Sequence, residues 1–314
     1  MPDAPITVSV IIVTRNTCAL TLAAVRSFFE SRGGIPGEII VVDNGSSDDT
    51  REGVVREFPS VHYIRSEKNL GFAGANNLGA RGARGEFLLL LNSDARLQPD
   101  SLPLAVEWMR QHSACGIAGA QLLNPDGSRQ NSIANFPSLA TELLNKSLLR
   151  RIFPKRFPGK ERHFAEPVEV ESVIGAFMLV RAKTWREIGG MDERYFFFFE
   201  ETDFCLQATR RDWKVFHLPQ VKVWHEQGKS AGQIFVPARI EYWRSRYAYF
   251  VKNHSPFTRA VLRLGLGARL VLNWISSGVL GLGQSIRWRN AWRVNSALLR
   301  WHLSFCPPQS GLPR

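Results

Sequence analysis

The chain has 314 residues, 44% hydrophobic and 22% charged, a globular composition that excludes a disordered or fibrous chain and suits one large domain with an appendage, or two domains. Its four cysteines, Cys18, Cys115, Cys205 and Cys306, lack CxxC spacing, which argues against a zinc cluster or a disulfide framework and makes reduced cytosolic thiols the expectation. The net charge of +12 sits at one end: from Arg239 onward twelve Lys and Arg oppose one acid, Glu241, a balance of +11 that leaves +1 for residues 1–238.

The opening MPDAPITVSVIIVT lacks a positive n-region and a cleavage site, so no signal peptide is expected. TVSVIIVT (7–14) is a β-branched run with little alternation, as in a parallel strand buried on both faces. A helical pattern over 19–31 ends at Gly33-Gly34, and EIIVVD (38–43) is a second strand. NGSSDD then supplies turn and N-cap residues for a helix to about Phe58. VHYIR (61–65) is a third strand, 72–83 a helix, and EFLLLLN (86–92) a fourth, apolar strand. A helix near 100–111, a strand near 116–122 and a PDGS turn (125–128) follow. Residues 150–168 mix Pro, Gly and basic residues without periodicity and read as a long loop. SVIGAFMLVRA (172–182) is a strand, KTWREIGGMD a short helix, 200–211 a helix, and KVFHLP and VKVWH two strands.

Strands alternating with helices predict an open α/β sheet, in which ligands bind outside the carboxyl ends of the strands. Those ends carry Thr14-Arg15-Asn16, Asp43-Asn44-Gly45 and Asn92-Ser93-Asp94, all polar apart from the glycine. Asn92 and Asp94 share one side of a strand and suit either a hard divalent cation or an Asx turn. Asp43 is equally a ligand for a base or ribose and a member of the turn and cap cluster. NLGFAGANNLGA (69–80) lacks the lysine and spacing of a P-loop; Asn69, Gly71 and Asn77 are in reach of a ligand, while Gly74 and Gly79 favour close packing. His225, in VWHEQGKS, is a lone histidine after a strand, open to metal ligation or to an ordinary hydrogen-bonded role.

RYFFFFEETDFC (194–205) sets four phenylalanines against three carboxylates. In a helix starting near Glu200, Glu200 and Asp203 share a face while Glu201 projects elsewhere. Acids in a first turn are favoured by the helix dipole alone. An aromatic wall would also raise a carboxylate's proton affinity and make it a candidate general base.

The region after Pro237 is helical in pattern, and its uncharged run over 270–286 falls short of the ~20 apolar residues of a membrane span. A wheel over 288–301 groups Trp288, Trp292, Leu298 and Leu299 beside Arg289, Arg293 and Arg300. That pattern fits an interfacial membrane helix, or a helix packed on the body or on a sister subunit.

Taken in order, VSVIIVTRN, VVDNGSSDDT, NLGFAGANNLGA, LLLLNSDA, GAFMLVRA, GGMDERYFFFFEETDFC and VWHEQGKS resemble glycosyltransferase family 2, in particular its bacterial rhamnosyltransferase-like branch, over about residues 7–230. The resemblance implies a GT-A fold with an open mixed sheet, a catalytic domain over 1–236 (nucleotide half to about 122, acceptor half after it) and a basic helical region over 237–314. It implies inverting transfer from a nucleotide-sugar, with dTDP-rhamnose favoured, to a saccharide or lipid-linked saccharide. It assigns Thr14, Asn16 and Asp43, with Arg15, Asn69, Gly71, Asn77, Asn92 and Ser93 beside them, to the nucleotide-sugar. Asp94 and His225 are assigned to Mg²⁺ or Mn²⁺, Glu201 to the catalytic base, and Glu200 and Asp203 to orienting the base or acceptor.

Two positions depart from the family pattern: Asn92 replaces the first acid of DxD, and Glu201 stands where Asp is usual. The expected place is cytoplasmic, peripheral at the inner face of the cell membrane, on an anionic surface or as a homo-oligomer through the C-terminal helices. The rival expectation is a non-catalytic nucleotide or nucleic-acid binding protein using the basic tail; the acids at 200–203 would repel a phosphate backbone and argue against nucleic acid.

Overall fold

The structure, a computed structural model, describes residues 5–157, 163–226, 235–282, 285–307 and 309–314. The first part alternates β1 (Val8–Thr14), α1 (Cys18–Ser31), β2 (Gly37–Asp43), α2 (Thr50–Glu57), β3 (His62–Arg65), α3 (Gly71–Ala80) and β4 (Phe87–Asn92). Then come β5 (Ala95–Leu97), α4 (Ser101–Gln111), β6 (Cys115–Leu123), β7 (Ile133–Ala134), α5 (Leu139–Leu143), α6 (Lys146–Ile152), β8 (Val168–Glu169) and β9 (Ser172–Val173). The chain continues through β10 (Phe177–Arg181), α7 (Ala182–Ile188), α8 (Glu200–Thr209) and β11 (Lys214–His225). It finishes with α9 (Phe235–Asn253), α10 (Pro256–Gly281) and α11 (Ile286–Leu303).

The main sheet has the order β3-β2-β1-β4-β10-β6-β11-β5, with β8 also on β11. β1 pairs in parallel with both β2 and β4, whereas β10 runs antiparallel to β4 and β6, so the sheet is mixed. Alternate residues of β1 serve opposite faces. Val8, Val10 and Ile12 pack with Val25 and Phe28 of α1 and with Val106 of α4, while Ile11 packs with Ala73 of α3 and Phe204 of α8. Burial on both sides is why this strand shows no polar alternation in sequence.

The structure revises four local expectations. Residues 172–182 divide: Ser172–Val173 pair with Ile133–Ala134 in a separate two-stranded sheet, and only Phe177–Arg181 enters the main one. The expected loop over 150–168 begins inside α6 and pairs with β11 at Val168–Glu169; 158–162 lie outside the described residues. KVFHLP and VKVWH are one strand, interrupted in its pairing with β6 between Leu218 and Lys222, around Pro219, which has no N–H for the ladder. Ala95–Leu97, not foreseen, adds antiparallel to the end of β11.

A third core joins the C-terminal helices to the body, with Tyr195 and Phe199 packed among Tyr249, Phe250, Leu266, Leu298 and Trp301. α10 buries Leu262, Leu266 and Leu270 at i, i+4 spacing, each such side chain contributing about 1.5–3 kcal/mol. α11 turns Val294, Leu298 and Trp301 inward, so the arc read from sequence is partly covered: Leu298 is buried, Trp288 and Leu299 are half-buried and Trp292 is exposed.

Candidate active site

β1 pairs with β2 on one side and β4 on the other, so the strand order reverses there and a crevice opens at their carboxyl ends. The register aligns Thr14 with Asp43 and Val13 with Asn92. Thr14 is buried, its hydroxyl 2.9 Å from Thr17 and 2.7 Å from Thr21, and Thr17 donates onward to Ser93 at 3.2 Å. Exposed Asn16 adopts φ of 53°, its N–H donating to Ser46 Oγ at 2.9 Å and its Oδ1 accepting from the Ser47 N–H at 2.7 Å. Asp43 is buried and accepts from the Ser46 N–H (2.8 Å) and the Tyr63 hydroxyl (2.7 Å). Burial and that hydrogen bond push the Tyr63 phenol well up, so it stays a donor. Arg15 is exposed at the same rim.

The next strand end is tied to α3 by Asn44, which accepts from the Leu70 N–H (2.9 Å) and donates to the Gly71 carbonyl (3.0 Å). Gly71 has φ of 72°, and a Cβ there would meet the Phe196 carbonyl at 2.2 Å, so glycine is required twice over. Asn69 caps this turn by accepting from the Gly71 N–H at 3.1 Å, and its amide donates to the Pro313 carbonyl at 2.9 Å. Asn77 lies apart: its amide bonds the Met191 backbone in both directions and donates to Glu193, holding the GGMDER turn on α3.

Asp94 and His225 meet, although 131 residues separate them: both are buried, with Oδ1 and Nε2 3.4 Å apart. Gln130 sets the histidine tautomer. Its amide nitrogen donates to the His225 carbonyl (2.6 Å) and to Asn124 (2.8 Å), which leaves Oε1 to accept from Nδ1–H at 2.9 Å. With Nδ1 committed to Gln130, Nε2 is left facing the Asp94 carboxylate oxygen, so the pair can share either a proton or a cation between them. These two residues fit a divalent ion. Among the described residues no cluster of three or more His, Cys, Asp or Glu is placed for a metal, so its other ligands would be diphosphate and water. Gln227–Ser230 of the VWHEQGKS motif lie outside the described residues.

The third component is the first turn of α8. Phe198 and Phe199 both adopt left-handed φ, 71° and 72°, a costly conformation for bulky residues. Their rings lie 5.4 and 5.3 Å from Tyr242, and Phe199 is 5.7 Å from Tyr249, so packing on α9 holds the strained turn. Asp203 is buried in a network with Lys252 Nζ (2.6 Å), Asn253 (2.9 Å) and the Tyr195 hydroxyl (3.3 Å), which docks α9 onto α8. Half-buried Glu201 faces elsewhere: a Cβ on Gly175 would lie 3.6 Å from its Cβ and 3.5 Å from the Phe72 ring.

One oxygen each of Glu200 and Glu201 is buried without a hydrogen-bond partner. Burial pushes both carboxyls up, Glu200 well above the usual range, with the charges of Glu201 and Glu241 adding to the effect. Glu241 on α9, fully buried beside Arg244 and with Arg314 at 3.7 Å, was not among the residues picked from sequence, and neither were Gln130, Asn44 or Tyr63. Only Asn44 had a signal, its place at a strand end; the others act through partners far away in sequence.

Comparison with known proteins agrees. The N-acetylglucosaminyl-diphospho-decaprenol L-rhamnosyltransferase of Mycobacterium tuberculosis is 28% identical over 252 residues, covering 76% of this chain and 82% of that protein. The dTDP-rhamnosyl transferase RfbF of Shigella flexneri is 25% identical over 71% of this chain and 74% of its own. The Pyrobaculum calidifontis mannosyltransferase PcManGT, solved with GDP-Man and Mn²⁺, superposes with a TM-score of 0.57 at 16% identity over 96% of this chain and 88% of its own, a likeness of GT-A fold. The model of the family "Glycosyl transferase family 2" matches residues 9–189, more than half of the chain, and this protein is a glycosyltransferase belonging to that family.

Proposed function

We propose that the protein transfers a sugar, with inversion, from a nucleotide-diphosphate donor to a lipid-linked saccharide, and that Glu201 is the base. The carrying observation is the pair of adjacent carboxyls at the start of α8, each with one buried oxygen that has no hydrogen-bond partner, and burial pushes both up. Glu200 is the more deeply buried of the two, whereas Glu201, beside Gly175 and Phe72, is the more accessible, which suits it to meet the acceptor hydroxyl.

Glu201 takes the proton of the acceptor hydroxyl as that oxygen bonds to the anomeric carbon. The bond from that carbon to the diphosphate oxygen breaks, and the nucleoside diphosphate departs. Thr14, Asn16, Asp43 and Ser93 frame the crevice that would hold the nucleotide; Asp43, with both oxygens engaged, is a fixed acceptor for base or ribose. Asp94 and His225 would hold Mg²⁺ or Mn²⁺, which when bound neutralises charge on the diphosphate.

The rhamnosyltransferase relatives support dTDP-rhamnose as donor and a diphospho-lipid-linked saccharide as acceptor, and such an acceptor suits an enzyme working at the inner face of the cell membrane. The test is Glu201→Gln with dTDP-rhamnose. Transfer should disappear while metal-dependent thermal stabilisation by the donor persists. Near-normal transfer would remove Glu201 from the role, and stabilisation by other nucleotide-sugars but not by this one would reassign the donor.

A further inference from the structure

Exposed apolar surface is concentrated in two places. Of the nineteen large hydrophobic side chains exposed among the described residues, thirteen fall within 144–153 and 257–286. A soluble surface normally scatters such side chains singly. The first group is centred on α6, where Leu148 and Ile152 stand one helical turn apart, 54% and 55% exposed, with Leu144 and Phe153 at its ends. The second is the outer side of α10, where Leu264, Leu272 and Val279 are 75%, 65% and 62% exposed.

The two groups are physically joined. A Cβ on Gly265 of α10 would lie 2.8 Å from Leu143 of α5, and Arg269 donates to the Glu142 carbonyl at 2.8 Å. Glu142 in turn pairs with buried Arg246 of α9 at 3.1 Å. α5, two residues before α6, is therefore packed against the middle of α10 and, through Glu142, tied to α9.

Both groups are fringed by positive charge. α6 carries Lys146, Arg150 and Arg151, and Lys146 and Arg150 also line a cavity of about 150 Å³ with Asn131, Asn135 and Glu142, the last already paired with Arg246. Arg287, Arg289 and Arg293 follow α10 and are exposed. We infer that α6 and the outer side of α10 form one docking surface for an anionic lipid bilayer, with the leucines at acyl-chain depth and the basic residues, including the α6 cavity, at the headgroup phosphates.

A second copy of the chain is the poorer occupant, because a two-fold contact would set the same basic residues against each other. Insertion across the bilayer is also disfavoured. α10 is long and apolar enough to cross a membrane by length and composition, but its Leu262, Leu266 and Leu270 stripe is already buried in the protein and it carries Arg259, Arg263 and Arg269. It lies in the interface. The inference deepens the lipid-linked acceptor reading above by naming the surface that brings the site to its acceptor.

The test is co-sedimentation of the full chain with phosphatidylcholine vesicles, with and without phosphatidylglycerol. Binding is expected only with the anionic lipid, and to fall at high salt. Leu148→Glu on α6 and Leu272→Glu on α10 should each lower partitioning about tenfold or more, with melting temperature unchanged because both positions are exposed.

Equal binding to neutral vesicles, or wild-type binding by either variant, would overturn the joint surface. So would a two-copy mass in solution that Leu272→Glu reduces to one. Transfer to a water-soluble acceptor, measured on the same samples, separates the two readings: its loss with vesicle binding intact counts against the enzyme assignment alone.

Discussion

The sheet and the C-terminal helices treat apolar surface in opposite ways. β1 is covered on both faces, and among the described residues before α5 only Val55 and Leu104 are exposed large hydrophobics. α10 buries a single stripe and leaves its other side in leucine, valine and isoleucine. The sheet thus completes its own core, whereas α10 has a surface that the rest of the chain does not cover. The carboxylates at the start of α8 stand where the two regions meet: Glu201 faces Gly175 and Phe72, while Asp203 is bound by Lys252 and Asn253 of α9.

The comparison breaks most sharply if chemistry and docking separate within that turn. Glu201→Gln should lower transfer about 10³-fold with little change in donor binding, read as kcat against donor-induced thermal shift. Lys252→Met should leave transfer chemistry in place but cost about 3 kcal/mol, because Asp203 would remain buried without its cation. Chemical denaturation followed by tryptophan fluorescence would show α9 to α11 loosening before the sheet. Loss of both regions in one transition would mean that they fold as a single unit.

A smaller effect is expected at the cation corner. Asp94→Asn and His225→Ala should each abolish metal-dependent stabilisation by nucleotide-sugar and lower transfer by about 10²-fold, while Gln130→Ala should weaken the metal about tenfold by freeing the imidazole. Calorimetric titration of metal in the presence of nucleoside diphosphate is the check.

The smallest effect concerns pH. Burial holds the Glu200 carboxyl well above the ordinary 4.5, so between 4.5 and its raised value the folded state binds more protons than the unfolded one. Its contribution to stability is therefore present at low pH and lost as pH rises through that window. Glu200→Gln should flatten this decline and raise stability above the window, with little change below pH 4.5. Melting temperature against pH for both proteins measures it.

Local pattern was enough for the sequence to determine β1 to β4, the polar residues at their ends and the separation of Glu201 from Glu200 and Asp203 on α8. Each of these depends on neighbours within a turn or a strand, and periodicity records such relations directly. The seven motifs in order sufficed for the family.

Tertiary structure alone decided which distant residues meet. β5 and β9 are too short to announce themselves without their partners, and Asp94 meets His225 only because β5 pairs with the end of β11, where Gln130 holds the imidazole. The phenylalanine run, which suggests extended backbone by propensity, is bent into left-handed φ by packing on Tyr242 and Tyr249. Likewise, the aromatic arc read on α11 is partly buried, and the exposed apolar surface lies on α6 and α10. An amphipathic pattern specifies that a helix has an apolar side; only the surrounding chain determines whether protein covers it.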